Sequence, residues 1–129
     1  MKRTNTVRML LVAAGLLLAA PAWCQELEQI AKVPPHERAE IQTKFMAEKM
    51  ELTAEERTKV EAINQKYADQ MQPVLEGQLG PFERMREVKK LEEAKDGELK
   101  AVLTPSQYQT YEASKDEMKQ RLEQRALNK

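Results

Sequence analysis

An all-α fold is what this sequence predicts, on three observations. A third of the residues are charged and only four are glycine in 129, so the chain is helix-forming and well solvated. Apolar residues recur every three to four positions over successive stretches, the period of a helix face. Two of those stretches open on a threonine followed three residues later by a carboxylate or an amide, the chemistry that starts helices. The expected architecture is about four amphipathic helices in a thin, extended helical-hairpin arrangement, because helices this polar offer only a narrow apolar stripe. So thin a core gains from dimerisation.

The first two dozen residues stand apart. Lys2, Arg3 and Arg8 form a basic start, Met9 to Ala20 carries no charge, and small residues follow at Ala19, Ala20 and Ala22, as in a secretory signal peptide. The apolar run falls short of the roughly 20 residues that span a bilayer, so cleavage rather than anchoring is expected. Two cut sites are open: after Ala22, with Ala20 at the minus-three position, or after Cys24, with Ala22 there. The second gives a c-region of more usual length and is favoured. The bulk of Trp23 argues against lipidation at Cys24. That cysteine is the only one, so cleavage after it leaves no thiol, whereas cleavage after Ala22 leaves one able to link two subunits in an oxidising compartment. The chain therefore divides into a signal peptide over 1–24, a flexible leader over 25–35 and a single helical domain over 36–126.

Without residues 1–24 the balance of 21 basic against 21 acidic residues becomes 18 against 21, a net charge near −3. That is no footprint for nucleic acid. The only histidine, His36, lies beside Pro34-Pro35 and has no cysteine partner after cleavage at Cys24. There is no nucleophile elbow and no phosphate-binding glycine loop. Glu83 with Glu87, and Glu112 with Asp116, stand one turn apart as paired metal-binding carboxylates do. Interleaved basic residues and the lack of a Glu-x-x-His pair make surface charge the stronger reading. No catalytic residue, metal or cofactor is expected, and the chain is read as a binding protein rather than an enzyme.

Each element has its own signal. Pro34-Pro35 cannot sit inside a helix and marks the first boundary. From about His36 to Met50, Ile41, Phe45, Met46 and Met50 share one side of a first helix. Leu52-Thr53-Ala54-Glu55-Glu56 is a capping box, and Val60, Ile63, Tyr67, Met71 and Val74 follow at spacings of 3, 4, 4 and 3, with Pro73 set to kink or finish the helix. Gly77 to Pro81 is a turn by composition. A third helix then carries Phe82, Met85, Val88 and Leu91, and later Leu99, Val102 and Leu103, with a frayed or kinked point expected at Lys95-Asp96-Gly97. The fourth opens on Thr104 as N-cap, Pro105 at the first helical position and Gln107 closing the box, with Tyr108, Tyr111, Met118 and Leu122 on its apolar edge.

The two capped starts echo each other, Leu52-Thr53 and Leu103-Thr104 lying 51 residues apart, with Glu61-Ala62 matched by Glu112-Ala113. By physics alone this shows only that two helices start with the same chemistry. The pair of Leu-Thr-x-x-(Gln/Glu) motifs, each opening a polar, Met-containing helix, resembles the LTXXQ family of periplasmic Spy- and CpxP-like proteins. The likeness runs from about Ile41 to Leu122, and Thr43 and Met46 also sit much as in that family. Leu103, Thr104 and Gln107 match the motif in full; beside Leu52 and Thr53, Glu56 stands where glutamine is usual, a mild departure because both side chains cap.

The resemblance implies a helical-hairpin monomer joined to a second copy in an antiparallel, curved homodimer whose concave face holds unfolded or partly folded envelope proteins without ATP in the periplasm. Other members restrain a membrane sensor kinase of the envelope stress response or bind metal. A regulatory subunit of that kind, or a structural helical partner, is therefore the alternative to a holdase. The residues suit client binding at Met46, Met50 and Met85, whose flexible side chains adapt to varied partners. Methionine at helical spacing is nonetheless more often core. Arg84, Arg86, Lys89 and Lys90 beside Phe82 and Met85 would attract acidic clients before apolar contact. The competing reading is a solvated face balanced by Glu83, Glu87, Glu92 and Glu93.

Overall fold

The structure, a computed structural model, describes residues 22–129. Most of the expected signal peptide, residues 1–21, lies outside the described residues. Among the described residues the chain forms five α-helices and no strand: α1 Ala22–Ala31, α2 Pro35–Met50, α3 Ala54–Glu76, α4 Pro81–Val102 and α5 Pro105–Leu127. The all-α expectation stands, with one helix more than anticipated.

The extra helix, α1, falls where a flexible leader is expected, and its packing explains the difference. Trp23, Leu27 and Ile30 share one face at helical spacing, and α1 docks on α3 and α5. Cys24 is buried. Lys119 of α5 pairs with Glu26 at 2.5 Å. A ten-residue helix is marginal alone; tertiary contact holds it.

The α1–α2 junction is fixed by Arg38. Its Nη1 donates to the carbonyls of Val33 at 2.9 Å and Ile30 at 3.4 Å and to Gln72 Oε1 at 2.6 Å. Its Nη2 donates to the Ala68 carbonyl at 3.0 Å. Gln72 returns a bond from Nε2 to the Ala31 carbonyl. One buried guanidinium thus joins the end of α1 and the start of α2 to the middle of α3. Burial pulls it below its ordinary pKa, opposed by Glu76 and Asp69.

Pro34 and Pro35 take the N-cap and first-turn positions of α2, where a missing N–H does no harm. Glu51, at φ 50°, ends the helix in the left-handed region, and both its N–H and that of Leu52 reach the Ala47 carbonyl. The boxes expected at α3 and α5 are formed. Thr53 Oγ1 accepts from Glu56 N at 3.2 Å and Glu56 Oε1 from Thr53 N at 3.3 Å. Thr104 Oγ1 accepts from Gln107 N at 3.2 Å and Gln107 Oε1 from Thr104 N at 2.9 Å.

The core sits between α2, α3, α5 and the end of α4: Phe45, Met46, Met50, Val60, Leu99, Leu103, Tyr111 and Met118. Asn64 is buried with them and donates to Thr43 Oγ1 at 3.0 Å, so the one amide in this layer is anchored across α2 and α3. Two points where the sequence allows a kink or a break are helical. α3 runs through Pro73 to Glu76, and α4 is continuous through Gly97. The second follows from tertiary ties: just before Gly97, Lys95 donates to Gln42 of α2 and Asp96 accepts from Tyr111 and Lys115 of α5, and just after it Glu98 accepts from Lys66 of α3.

The glycine that ends α3 and the one inside α4 predict opposite outcomes. A Cβ on Gly97 meets nothing within 4 Å, so Gly97→Ala is expected to stabilise by about 0.5–1 kcal/mol. A Cβ on Gly77 meets the Pro73 carbonyl oxygen at 2.6 Å, so Gly77→Ala destabilises. Urea midpoints moving in opposite directions check both. Arg38→Met strands buried carbonyls and is expected to cost about 2–4 kcal/mol, with a red shift of Trp23 emission in the native state as α1 loosens.

Candidate binding cleft

The two Leu-Thr motifs meet in space. Gln107 Nε2 reaches the Met50 carbonyl at 3.4 Å, joining the α4–α5 turn to the end of α2. Leu103 is core, and Leu52 packs against that core. Glu56 is held below the usual carboxylate range by the Thr53 backbone N–H first, then by the Thr53 hydroxyl and the Gln107 side chain, although its buried Oε2 makes no hydrogen bond of good geometry. These six residues therefore start helices and knit two turns together.

Of the side chains proposed for client contact, Met46 and Met50 are buried in the core, which corrects that assignment: both are enclosed between α2, α3 and α5. The α4 residues differ. Phe82 is 83% exposed and Met85, one turn on, 45% exposed. Arg86, Lys89 and Lys90 lie exposed on the same helix. Arg84 is turned back and donates through Nη2 to the Gly77 carbonyl at 3.0 Å, so it fastens the preceding loop. His36 is exposed at the start of α2.

Between α1, α3, α4 and α5 lies a half-open cleft of about 460 Å³. Its walls are mainly apolar: Trp23 and Leu27 from α1, Met71 and Leu75 from α3, Met85 and Val88 from α4, Met118 and Leu122 from α5. The cleft exists because α4 packs along α3 but meets α5 sparsely. The C-terminal half of α4 is drawn into the core by Leu99 and Leu103, while the Met85–Leu91 stretch faces open space.

Arg38, Gln42, Lys95, Asp96 and Tyr111 belong to the polar part of the lining, together with charged side chains such as Glu26, Glu92, Lys115 and Lys119. Lys95 is 9% exposed and its Nζ donates to Gln42 Oε1 at 2.8 Å. Among the described residues no carboxylate lies within 4 Å of it: Asp96 is taken by Tyr111 at 2.8 Å and Lys115 at 2.5 Å. Burial pushes the Lys95 ammonium down to about 8, with Asp96 and Glu92 opposing. Burial likewise raises Glu92, with Asp96 adding to the rise, and raises Tyr111.

The signal for Lys95 was present in the sequence, since Leu91, Lys95 and Leu99 stand four apart on one helix face. A cation on an apolar stripe is either snorkelling or buried, and periodicity does not separate the two. Arg38 follows the same rule, seven residues before Phe45. Among the described residues no three His, Cys, Asp or Glu side chains are grouped to hold a metal ion, and no helix is long and apolar enough to cross a membrane.

The sequence pattern of a family described as "Domain of unknown function (DUF4890)" matches residues 24–111. The chain belongs to this family. The matched stretch runs from the first turn of α1 into α5 and so takes in four of the helices that wall or floor the cleft, with the part of α5 up to Tyr111. Comparison with curated proteins and with solved structures returns no match.

Because Lys95 has a lower pKa in the fold than its ordinary 10.5, the folded state binds fewer protons than the unfolded one between about 8 and 10.5. The burdened charge therefore lowers stability most below pH 8, and stability is recovered as pH rises through that window. Lys95→Met is expected to stabilise the protein at pH 7 by on the order of 1–3 kcal/mol, part of the gain being offset by the orphaned Gln42 amide. Urea unfolding at pH 7 and at pH 10 should show the advantage of the variant shrinking at the higher pH.

Proposed function

We propose that the protein is an exported, ATP-independent holdase that binds unfolded or partly folded envelope proteins in the periplasm. The observation that carries this reading is the apolar path on α4, from the solvent-exposed Phe82 through Met85 into the cleft, flanked by Arg86, Lys89 and Lys90. A monomeric surface normally hides a phenylalanine that could be covered; one left this exposed beside an apolar groove suits contact with a partner. The methionines Met71, Met85 and Met118 line the cleft and re-pack for differing side chains. The adjacent cations steer acidic chains inward before contact.

The paired motifs Leu52-Thr53-x-x-Glu56 and Leu103-Thr104-x-x-Gln107 support the same reading through their resemblance to the LTXXQ proteins. That likeness also gives the working form we propose: helical hairpins in an antiparallel, curved homodimer. The packing bears on the cut site as well. Trp23 lines the cleft and Cys24 is buried, so processing after Ala22 takes only the first residue of α1 and keeps both, whereas processing after Cys24 removes its first turn. We favour the former; the intact mass of the exported protein decides between them.

Light scattering from a reduced, unfolding model protein tests the holdase, with no nucleotide present. Suppression is expected at near-stoichiometric ratios, unaffected by a chelator, and several-fold weaker for Phe82→Ser. A folded sample that suppresses nothing would transfer the proposal to a regulatory subunit on a membrane sensor kinase or a structural partner.

A further inference from the structure

The cleft holds one charge that neither the fold nor client holding explains. Lys95 Nζ carries three N–H donors, of which the structure engages one, on a neutral amide. Its neighbour Asp96 is already shared between Tyr111 and Lys115. Arg38, the other buried cation in the lining, is consumed by carbonyls and Gln72. Asp96 and Glu92 act on Lys95 from beyond ion-pair distance, and a buried ammonium with no carboxylate in contact is costly unless something anionic meets it. From Lys95 an apolar row leads along α4, through Leu91 and Val88 to Met85, facing Met71 and Leu75 of α3, with Glu92 and Lys89 also in the lining beside it. Ten residues of helix make that path about 15 Å long. A cation at one end and a 15 Å apolar trough leading away from it match one shape of ligand.

We propose that the cleft is a binding site for a single-chain anionic amphiphile, a fatty acid or a molecule like it, whose acid group pairs with Lys95 and whose acyl chain lies between α3 and α4. The volume separates this occupant from a client helix. A helix about 10 Å across fills roughly 460 Å³ in little more than one turn, so a folded client segment stays at the mouth. A slim acyl chain reaches Lys95 with its head and leaves the exposed Phe82 free. The ammonium sits where it lowers stability, which is the arrangement of a site kept for a ligand rather than for the fold. The inference stands whether or not the protein holds unfolded chains.

Isothermal titration of the exported, processed protein with dodecanoate and with dodecanol, both below their micellar concentrations, tests it. Dodecanoate should bind saturably at one per chain and at least tenfold more tightly than the alcohol. Lys95→Met and Lys95→Gln, each checked for helicity, should lose that tenfold preference while still binding the alcohol. Lys59→Gln, a change on the exposed start of α3, should keep it. Equal affinity for acid and alcohol in the unaltered protein overturns the proposal, as does binding without saturation at one equivalent, no binding, or an acid preference that survives both Lys95 variants. The comparison of acid with alcohol needs no variant, so a misfolded Lys95 substitution does not rescue the idea.

Discussion

Arg38 carries a formal charge into the interior and directs it at three main-chain carbonyls and one side-chain amide. Those acceptors belong to two stretches far apart in sequence: the end of α1 with the α1–α2 junction, and the middle of α3. Backbone carbonyls at the end of a short helix have no partner of their own, and burying them unpaired would cost as much as burying the charge. Guanidinium and carbonyls therefore solve each other's problem. With that joint made, α1 has a fixed angle of departure and lays Trp23, Leu27 and Ile30 against α3 and α5. Without it, ten residues of helix would have little reason to persist.

The cleft follows from the same joint together with a mismatch in α4. Its second half is pulled inward by Leu99, by the Lys95–Gln42 hydrogen bond and by Asp96, which accepts from two α5 side chains. Its first half has α3 on one side and no equal partner on the other. Four helices of similar apolar width would close on one another; here α1 stands in for a longer neighbour and leaves a gap. The result is a half-open cleft walled largely by methionines and leucines.

How much of this was legible in the residues depends on whether a signal is local. Thr53 with Glu56 and Thr104 with Gln107 announce helix starts within four residues, and the structure forms both boxes with the expected donors. Proline at Pro35, Pro81 and Pro105 marks first turns for the same local reason. Burial is not local. Met46 and Met85 have the same chemistry and similar spacing to their neighbours, yet one is enclosed and the other open, because α2 is covered on two sides and the start of α4 on one. Gly97 reads as a break until Lys95 and Asp96 are seen tied to α2 and α5. The burial of Lys95 and Arg38 is not legible because a stripe pattern records position on a helix, not what stands across from it. Helix α1 was hidden for another reason: its apolar face overlaps the end of a stretch that reads as an export signal.

Two buried cations in one small domain sharpen the division between structure and function. Arg38 and Lys95 are both desolvated, but the first has four acceptors and the second one. A charge surrounded by well-placed dipoles is part of the framework, since removing it leaves those dipoles unpaired. A charge with spare donors beside an apolar trough adds little to the framework, and the fold would be more comfortable with a methionine there. The same reasoning separates Gln107, whose amide closes a cap and reaches Met50, from Phe82, whose ring touches little of its own chain. Residues satisfied by their own fold explain why the helices stand where they do. Those left unsatisfied, Lys95 at the polar end and Phe82 at the mouth, are the residues on which the proposed ligand and client contacts rest.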